Sequence, residues 1–173
     1  MQEDKKRKYS LIKRKEINMK TIYLAGGCFW GVEAFFKKKD FTRDTEVGYA
    51  NSIEEDPSYK RVCTGMTKAA ETLRLDFEGD LRNVLDEYFK IIDPTVMNRQ
   101  GPDHGSQYRT GIYYLDDEDR QIILDYIESV KKNYRAEIVT EVRKLENFYP
   151  AEEYHQDYLD KNPGGYCHID LNL

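Results

Sequence analysis

A clean alternation of apolar and polar residues, followed at once by a helical repeat, constrains this fold most strongly. Residues 71–79 read ETLRLDFEG and place Leu73, Leu75 and Phe77 on one face of a predicted strand. Residues 80–93, DLRNVLDEYFKIID, repeat their apolar side chains every three or four positions, as an amphipathic helix does. A strand and a helix with one apolar side each bury those sides together, which predicts helices packed on a sheet.

The remaining predicted elements also alternate. The predicted strands cover residues 20–25, 45–50, 111–115 and 137–143, and the predicted helices cover residues 28–39, 117–132 and 151–160. Residues 94–110 form a long polar loop, and a loop of that length in a compact domain is usually functional or disordered. Because strand and helix do not repeat as one regular unit, we expect a mixed sheet in an α/β domain.

Length and charge limit the class of protein. A chain of 173 residues suits one compact domain, which we place at residues 19–173. A formal net charge of −5 argues against a nucleic-acid-binding protein, and no apolar run approaches the ~20 residues of a membrane span. Residues 1–18 are rich in Lys and Arg; we expect a poorly ordered basic extension there, although a surface-binding arm or an upstream start before Met19 also fits.

The cysteines indicate a reducing compartment. The first twenty residues lack the apolar core of a secretory signal, so we expect the cytoplasm and free thiols at Cys28, Cys63 and Cys167. An odd number of cysteines also excludes a fully paired disulfide framework.

Cys28 stands at the predicted start of a helix, within AGGCFWGVEAFF. Unpaired backbone N–H groups and the positive end of the helix dipole favour the thiolate there, and the thiolate is the nucleophile. The two preceding glycines permit a tight turn and leave the approach to the sulfur open. Trp30 lies off the apolar face that contains Phe29, so it can line a pocket beside Cys28. An inert buried cysteine among core aromatics is the alternative.

Glu71 falls on the apolar face of the predicted strand. A carboxyl group in apolar surroundings favours its neutral form, so we expect a raised pKa and a proton donor near pH 7. Alternatively, Glu71 bends out to water at the first position of the strand. Glu33, near the apolar face of the first helix, is a rival by the same logic.

Four further residues have a functional and a neutral interpretation. Tyr59 and Tyr108 lie in the turn-rich stretches DPSYK and GSQYR, where each can present a hydroxyl to a pocket or simply be half-buried. Asp103 can order the long loop or cap a turn. Cys167, in the glycine-bearing tail NPGGYCHID, is placed to form a disulfide with a second thiol, or has no role.

Two other constellations are possible on sequence grounds. Cys28 with His155 and a carboxylate would make a thiol hydrolase. Cys167, His168 and the other histidines could bind zinc, but the chain has no Cys-x-x-Cys pair and we expect no metal site.

Taken together, six stretches resemble peptide methionine sulfoxide reductase of type A over about residues 20–170. They are GGCFWGVE, VGYA, PSYKRVCTGMTKAAE, NRQGPDHGSQYR, FYPAEEYHQDYL and NPGGYCHID, in the family's order and spacing. The resemblance implies a mixed α/β fold in which a two-layer α-β sandwich is wrapped by long coil segments.

The resemblance also implies the reduction of methionine-S-sulfoxide, free or in proteins. Cys28 matches the nucleophile that attacks the sulfoxide sulfur and becomes a sulfenic acid, and Glu71 matches the acid that protonates the sulfoxide oxygen. Cys167 matches the resolving cysteine, whose disulfide with Cys28 is reduced by thioredoxin, or by dithiothreitol in vitro.

The substrate-binding residues are implied in the same way. Tyr59 and Tyr108 match the hydroxyls that bind the sulfoxide oxygen, and Asp103 matches the carboxylate that orients the bound group. Phe29 and Trp30 match the apolar wall that receives the substrate's terminal methyl group. The resemblance implies no metal or bound organic cofactor, and we expect a monomer. A module that binds oxidised methionine without reducing it is the non-enzymatic alternative.

The chain departs from the family's pattern in three places. Lys68 and Ala69 stand where the family usually has Gly-His, which puts in doubt a contact to the acid. Asn51 and Ser52 replace two common glycines. The final residues lack the further cysteine that many relatives carry, so a single resolving cysteine is expected.

Overall fold

The computed structural model describes residues 19–173. Strands of unequal length form the framework of this domain. The predicted extension over residues 1–18 lies outside the described residues. The strands are β1 (Met19–Ala25), β2 (Thr42–Ala50), β3 (Ala70–Glu78), β4 (Arg99–Gln100), β5 (Asp103–His104), β6 (Gly111–Tyr114), β7 (Glu141–Lys144) and β8 (Phe148–Pro150). The helices are α1 (Phe29–Lys37), α2 (Tyr59–Cys63), α3 (Leu81–Ile91), α4 (Asp117–Val130) and α5 (Tyr158–Lys161).

Six of these strands form one mixed sheet. Their order is β7-β6-β1-β3-β2-β8; β6 and β7 run parallel and the other neighbours are antiparallel. The expectation of a mixed sheet is therefore confirmed. β4 and β5 form a separate two-stranded ribbon inside the long loop.

The main core lies between the sheet and the three longest helices. Alternate residues of the central strands meet the apolar faces of α1, α3 and α4 in one buried cluster. Leu73, Leu75 and Phe77 of β3 are all buried on this face, as their alternation predicts. Glu71 has the same parity and is also buried, with 2% of its surface exposed. The strand therefore carries a carboxyl group to the end of an apolar layer.

The C-terminal third differs most from the prediction. The strand predicted at 137–143 is observed at Glu141–Lys144, and β8 was not predicted. The helix predicted at 151–160 is divided into a 3-10 turn, Glu153–His155, and α5. Asp157 interrupts it in a left-handed conformation, with φ of 51°, and donates its backbone N–H to Oε1 of Glu33 at 2.7 Å. A tertiary hydrogen bond thus overrides the local helical pattern.

Among residues 19–173, no helix is long and apolar enough to cross a membrane.

Gly48 allows the edge strand β8 to pack closely on β2. A Cβ atom at Gly48 would lie 2.4 Å from the carbonyl oxygen of Tyr149 and 2.5 Å from Cζ of Phe148. Gly48→Ala should therefore lower the free energy of unfolding by about 1–3 kcal/mol, measured by urea denaturation. Gly164→Ala, where a Cβ meets nothing within 4 Å, should stay within about 0.5 kcal/mol of the parent. Equal midpoints for the two variants would contradict this packing argument.

Candidate active site

Cys28 lies where β1 has ended and α1 is about to begin. It is the N-cap residue, with φ of −57° and ψ of 122°, so the helix starts at Phe29, one residue later than predicted. The sulfur belongs to a buried residue that is 7% exposed. Its position at a helix N-terminus is the one that the sequence predicts.

A hydrogen bond joins this helix start to the buried carboxyl group of β3. The backbone N–H of Phe29 donates to Oε1 of Glu71 at 3.3 Å. The other oxygen, Oε2, is buried and has no hydrogen-bond partner among the described residues. Burial raises the pKa of Glu71 to about 8, although the Phe29 N–H opposes the shift. Glu71 is therefore mostly protonated at pH 7, and it lies beside Cys28.

The ionisation of Cys28 differs from the expectation. Burial raises the pKa of the Cys28 thiol, and the negative charge of Glu71 raises it further, while a hydrogen bond from the Trp30 backbone lowers it. The cost of placing a charge in this low-dielectric site exceeds the help from the helix N-terminus. The expected resting thiolate is thus wrong: at neutral pH the site holds a neutral thiol beside a neutral acid.

The two glycines before Cys28 make room for other parts of the protein. A Cβ at Gly27, where φ is 83°, would lie 2.7 Å from Nε2 of His168, and one at Gly26 would lie 2.8 Å from Cγ2 of Ile92. Nε2 of His168 is also hydrogen-bonded to the carbonyl oxygen of Gly26, at 3.1 Å. The prediction that the glycines leave an open approach is therefore wrong, because Ile92 covers Gly26 and His168 of the C-terminal segment covers Gly27.

Two tyrosine hydroxyls lie within the electrostatic reach of Glu71. Tyr59 is the first residue of α2 and Tyr108 ends a 3-10 turn, Ser106–Tyr108; both are half-buried. Burial raises the pKa of each phenol, and the charge of Glu71 contributes to both shifts. Both hydroxyls therefore remain protonated at neutral pH and can donate hydrogen bonds.

The C-terminal segment contacts Asp103 and carries Cys167, two further predicted site residues. Oδ2 of Asp103 accepts a hydrogen bond from the hydroxyl of Tyr166 at 2.9 Å. A Cβ at Gly31 would lie 2.9 Å from Sγ of Cys167, so this sulfur rests against α1 about one turn beyond Cys28. Cys28 and Cys167 are both free thiols, and Cys167 donates to the carbonyl oxygen of Ile169 at 3.3 Å.

Phe29 and Trp30 have different environments. Phe29 is 1% exposed and packs on Tyr49 and His155, with ring centroids 5.8 and 5.1 Å away. Trp30 is half-buried and stacks on Tyr158, with centroids 3.6 Å apart and an interplanar angle of 9°. Trp30 is therefore the more accessible of the two predicted wall residues.

His155 is arranged to hold Trp30. Its Nδ1 accepts a hydrogen bond from Nε1 of Trp30 at 3.0 Å, so the ring proton of neutral His155 is on Nε2. Burial lowers the pKa of His155, which keeps it neutral. Neither nitrogen is then a free acceptor for the Cys28 proton, and this geometry disfavours the thiol hydrolase.

Glu152 organises the tyrosines, and sequence reasoning did not find it. Its Oε1 accepts from the hydroxyl of Tyr49 at 2.9 Å, and its Oε2 accepts from the backbone N–H of Tyr59 and the hydroxyl of Tyr154, each at 3.2 Å. Tyr49 lies directly opposite Glu71 in the pairing of β2 and β3. Nothing local distinguishes Glu152 from its neighbour Glu153, so only the tertiary structure identifies this contact.

A family model described as peptide methionine sulfoxide reductase matches residues 20–173. The chain belongs to the peptide methionine sulfoxide reductase family. Two curated members, both called peptide methionine sulfoxide reductase MsrA, come from Clostridium acetobutylicum and Alkaliphilus metalliredigens. The first is 54% identical over 90% of this chain and 98% of its own length, and the second is 56% identical over 90% and 100%.

Solved structures of reductases share the fold. Reduced Mxr1 from Saccharomyces cerevisiae has a TM-score of 0.85 and 42% identity, covering 89% of this chain and 92% of its own. Methionine sulfoxide reductase A of Corynebacterium diphtheriae has a TM-score of 0.75 and 33% identity, covering 87% and 78%. Mxr1 in complex with Trx2 has a TM-score of 0.59 and 27% identity, covering 82% and 86%.

Trp30 is the only tryptophan of the chain, so its fluorescence reports on the bond to His155. Protonation makes both ring nitrogens donors, and Nε1 of Trp30 then loses its acceptor. Because the pKa of His155 is lowered by burial, against a weaker opposing effect of Glu152, the emission should be constant from pH 8 to 7 and change below about pH 6.5. His155→Gln should abolish the transition, and His104→Gln should retain it. A transition of the same size in folded His155→Gln would exclude this arrangement.

Proposed function

We propose that this chain reduces methionine-S-sulfoxide, free or in proteins, with its own thiols, and that thioredoxin restores them. The observation that carries the proposal is the buried Cys28 thiol beside a buried carboxyl group that keeps its proton at pH 7. The names of the relatives and the solved complex of Mxr1 with Trx2 support the substrate and the reductant.

The pairing of two neutral groups suits attack on a sulfoxide. Glu71 gives its proton to the sulfoxide oxygen, which makes the sulfoxide sulfur electrophilic, and the sulfur of Cys28 attacks as its own proton passes to Glu71. The attack forms a bond between the sulfur of Cys28 and the sulfur of the substrate. That bond and the S–O bond of the substrate then break as the oxygen bonds to the sulfur of Cys28, which leaves a sulfenic acid on Cys28. The thioether leaves with the two electrons that Cys28 has lost, and Glu71 is protonated again.

The surrounding side chains hold the substrate in this scheme. Tyr59 and Tyr108 donate hydrogen bonds to the sulfoxide oxygen, because their raised pKa values keep both phenols protonated. Trp30 and Phe29 receive the methyl group, with Trp30 held by its bond to the neighbouring imidazole. Asp103 orients the rest of the bound group, and its own position is supported by the hydroxyl of Tyr166.

The cycle closes through the second thiol. Cys167 attacks the sulfenic acid of Cys28, water leaves, and a Cys28–Cys167 disulfide forms, which thioredoxin reduces. The steps call on no metal or bound organic cofactor, and a monomer suffices for them. The free thiols of Cys28, Cys63 and Cys167 fit the reducing cytoplasm that we propose for the reaction.

Loss of the acid should slow the first step sharply. Glu71→Gln should lower kcat/KM for methionine sulfoxide by roughly 10²–10⁴, because one positioned acid contributes about that much. The parent should lose activity as pH rises through about 8, where Glu71 loses its proton, and Glu71→Gln should lack this decline. Steady-state thioether formation with dithiothreitol measures both effects.

Glu33→Gln is the matched control. Burial also raises the pKa of Glu33, but its Oε1 accepts the backbone N–H of Asp157, away from Cys28. It should retain the parent's rate and pH profile. Near-parental kcat/KM for Glu71→Gln would remove Glu71 from the acid role.

Cys167→Ser should separate reduction from recycling. It should form one equivalent of methionine per protein in a single turnover, and it should fail to cycle with thioredoxin as sole reductant. Cys28→Ser should form no product, whereas a module that only binds oxidised methionine would retain its effect in that variant. Equal steady-state rates of Cys167→Ser and parent with thioredoxin would transfer the resolving role to Cys63.

A further inference from the structure

We propose that a cationic cleft at Lys68 binds acidic side chains that lie near methionine sulfoxide in a protein substrate. The inference rests on the proposed reductase function and names the class of polypeptide that the site favours. The cleft, called here the Lys68 cleft, has a volume of about 450 Å³, and its walls include Asn51, Lys68, Ser106, Arg109, Arg143 and Glu146.

Positive charge predominates in the Lys68 cleft. Its lining contains three cationic side chains and one carboxylate, Glu146. Arg109 is paired with Glu141, and Arg143 is paired with Glu141 and Glu146, so carboxylates of the protein hold both arginines. Lys68 is exposed and takes part in none of the ion pairs formed within residues 19–173. It is the cation in the cleft that is free to meet an external carboxylate.

The backbone does not explain a lysine at this position. Lys68 has φ of 57°, a left-handed conformation in which glycine is favoured and a side chain is strained. The guanidinium of Arg109 donates to the carbonyl oxygen of Lys68 at 2.8 Å, which fixes the main chain without using the ammonium group. The ammonium group of Lys68 takes no part in this contact.

The cleft lies within reach of the reacting groups. Lys68 precedes Glu71 by three residues, and three residues span at most about 11 Å. On the other wall, Arg109 follows Tyr108 directly, and Arg109 also donates to the carbonyl oxygen of Ser106 at 2.8 Å. An extended substrate advances about 3.3 Å per residue, so a side chain about three positions from the sulfoxide reaches Lys68.

The test compares three peptides that carry one methionine sulfoxide and either Glu, Gln or Lys three positions away on each side. With dithiothreitol as reductant, the parent should show kcat/KM about 3–5-fold higher for the Glu peptide than for the Lys peptide at low salt, as an exposed ion pair allows. The preference should shrink in 0.5 M salt. Lys68→Gly should abolish it and Lys68→Glu should reverse it, both with unchanged kcat/KM for N-acetylmethionine sulfoxide.

Lys132→Glu makes the same change of net charge at another exposed position and should keep the parent's preference. Equal parental rates on the Glu and Lys peptides, or an unchanged preference in Lys68→Glu, would overturn the Lys68 cleft while the proposed function stands. A failure to reduce N-acetylmethionine sulfoxide would instead refute the proposed function. In that case the affinity of Cys28→Ser for the Glu and Lys peptides, measured by Trp30 fluorescence, still decides whether the cleft prefers Glu over Lys.

Discussion

The hydrogen bond from the Phe29 backbone to the Glu71 carboxyl group is the contact on which the site depends. It joins the first N–H of α1 to the buried end of β3, so the sheet and the helix together place an acid beside Cys28. Burial keeps both Glu71 and Cys28 neutral. The two effects reinforce each other, because a charge on Glu71 would raise the pKa of Cys28 further. The arrangement therefore suits proton transfer between Cys28 and Glu71, and neither group is an anion at rest.

Aromatic side chains surround His155 next to this hydrogen bond. Phe29, Trp30, Tyr59 and Tyr154 all pack against the imidazole, with ring centroids between 4.1 and 5.7 Å. Because His155 is neutral, its Nδ1 can accept from Trp30 and no charge is buried among the rings. His155 thus joins Phe29 and Trp30 to α2, the helix that carries Tyr59, one of the hydroxyls that we propose to bind the sulfoxide oxygen.

Sequence pattern predicted the parts of the site that depend on periodicity. Alternation in residues 71–79 placed Glu71 on the buried face, and the change of period after the glycines placed Cys28 at a helix start. The pattern did not predict that burial would raise the pKa of Cys28 by more than the helix N-terminus lowers it, because burial is a property of the assembled core. The role of Glu152 was missed for a related reason: its partners Tyr49 and Tyr59 are about a hundred residues away in the chain.

The tail that carries Cys167, the proposed resolving cysteine, is held by a few contacts with other segments. Four hydrogen bonds to other segments hold it: Tyr166 to Asp103, His168 to Gly26, and Lys38 and Lys39 to the carbonyl oxygens of Leu171 and Leu173. Each is worth about 1 kcal/mol net, which a covalent sulfur–sulfur bond readily exceeds. Two of these contacts, at Asp103 and Gly26, belong to the candidate site, so in the proposed cycle a movement of Cys167 towards Cys28 also disturbs them. In the proposed cycle, resolution of the sulfenic acid is therefore coupled to these two contacts of the candidate site.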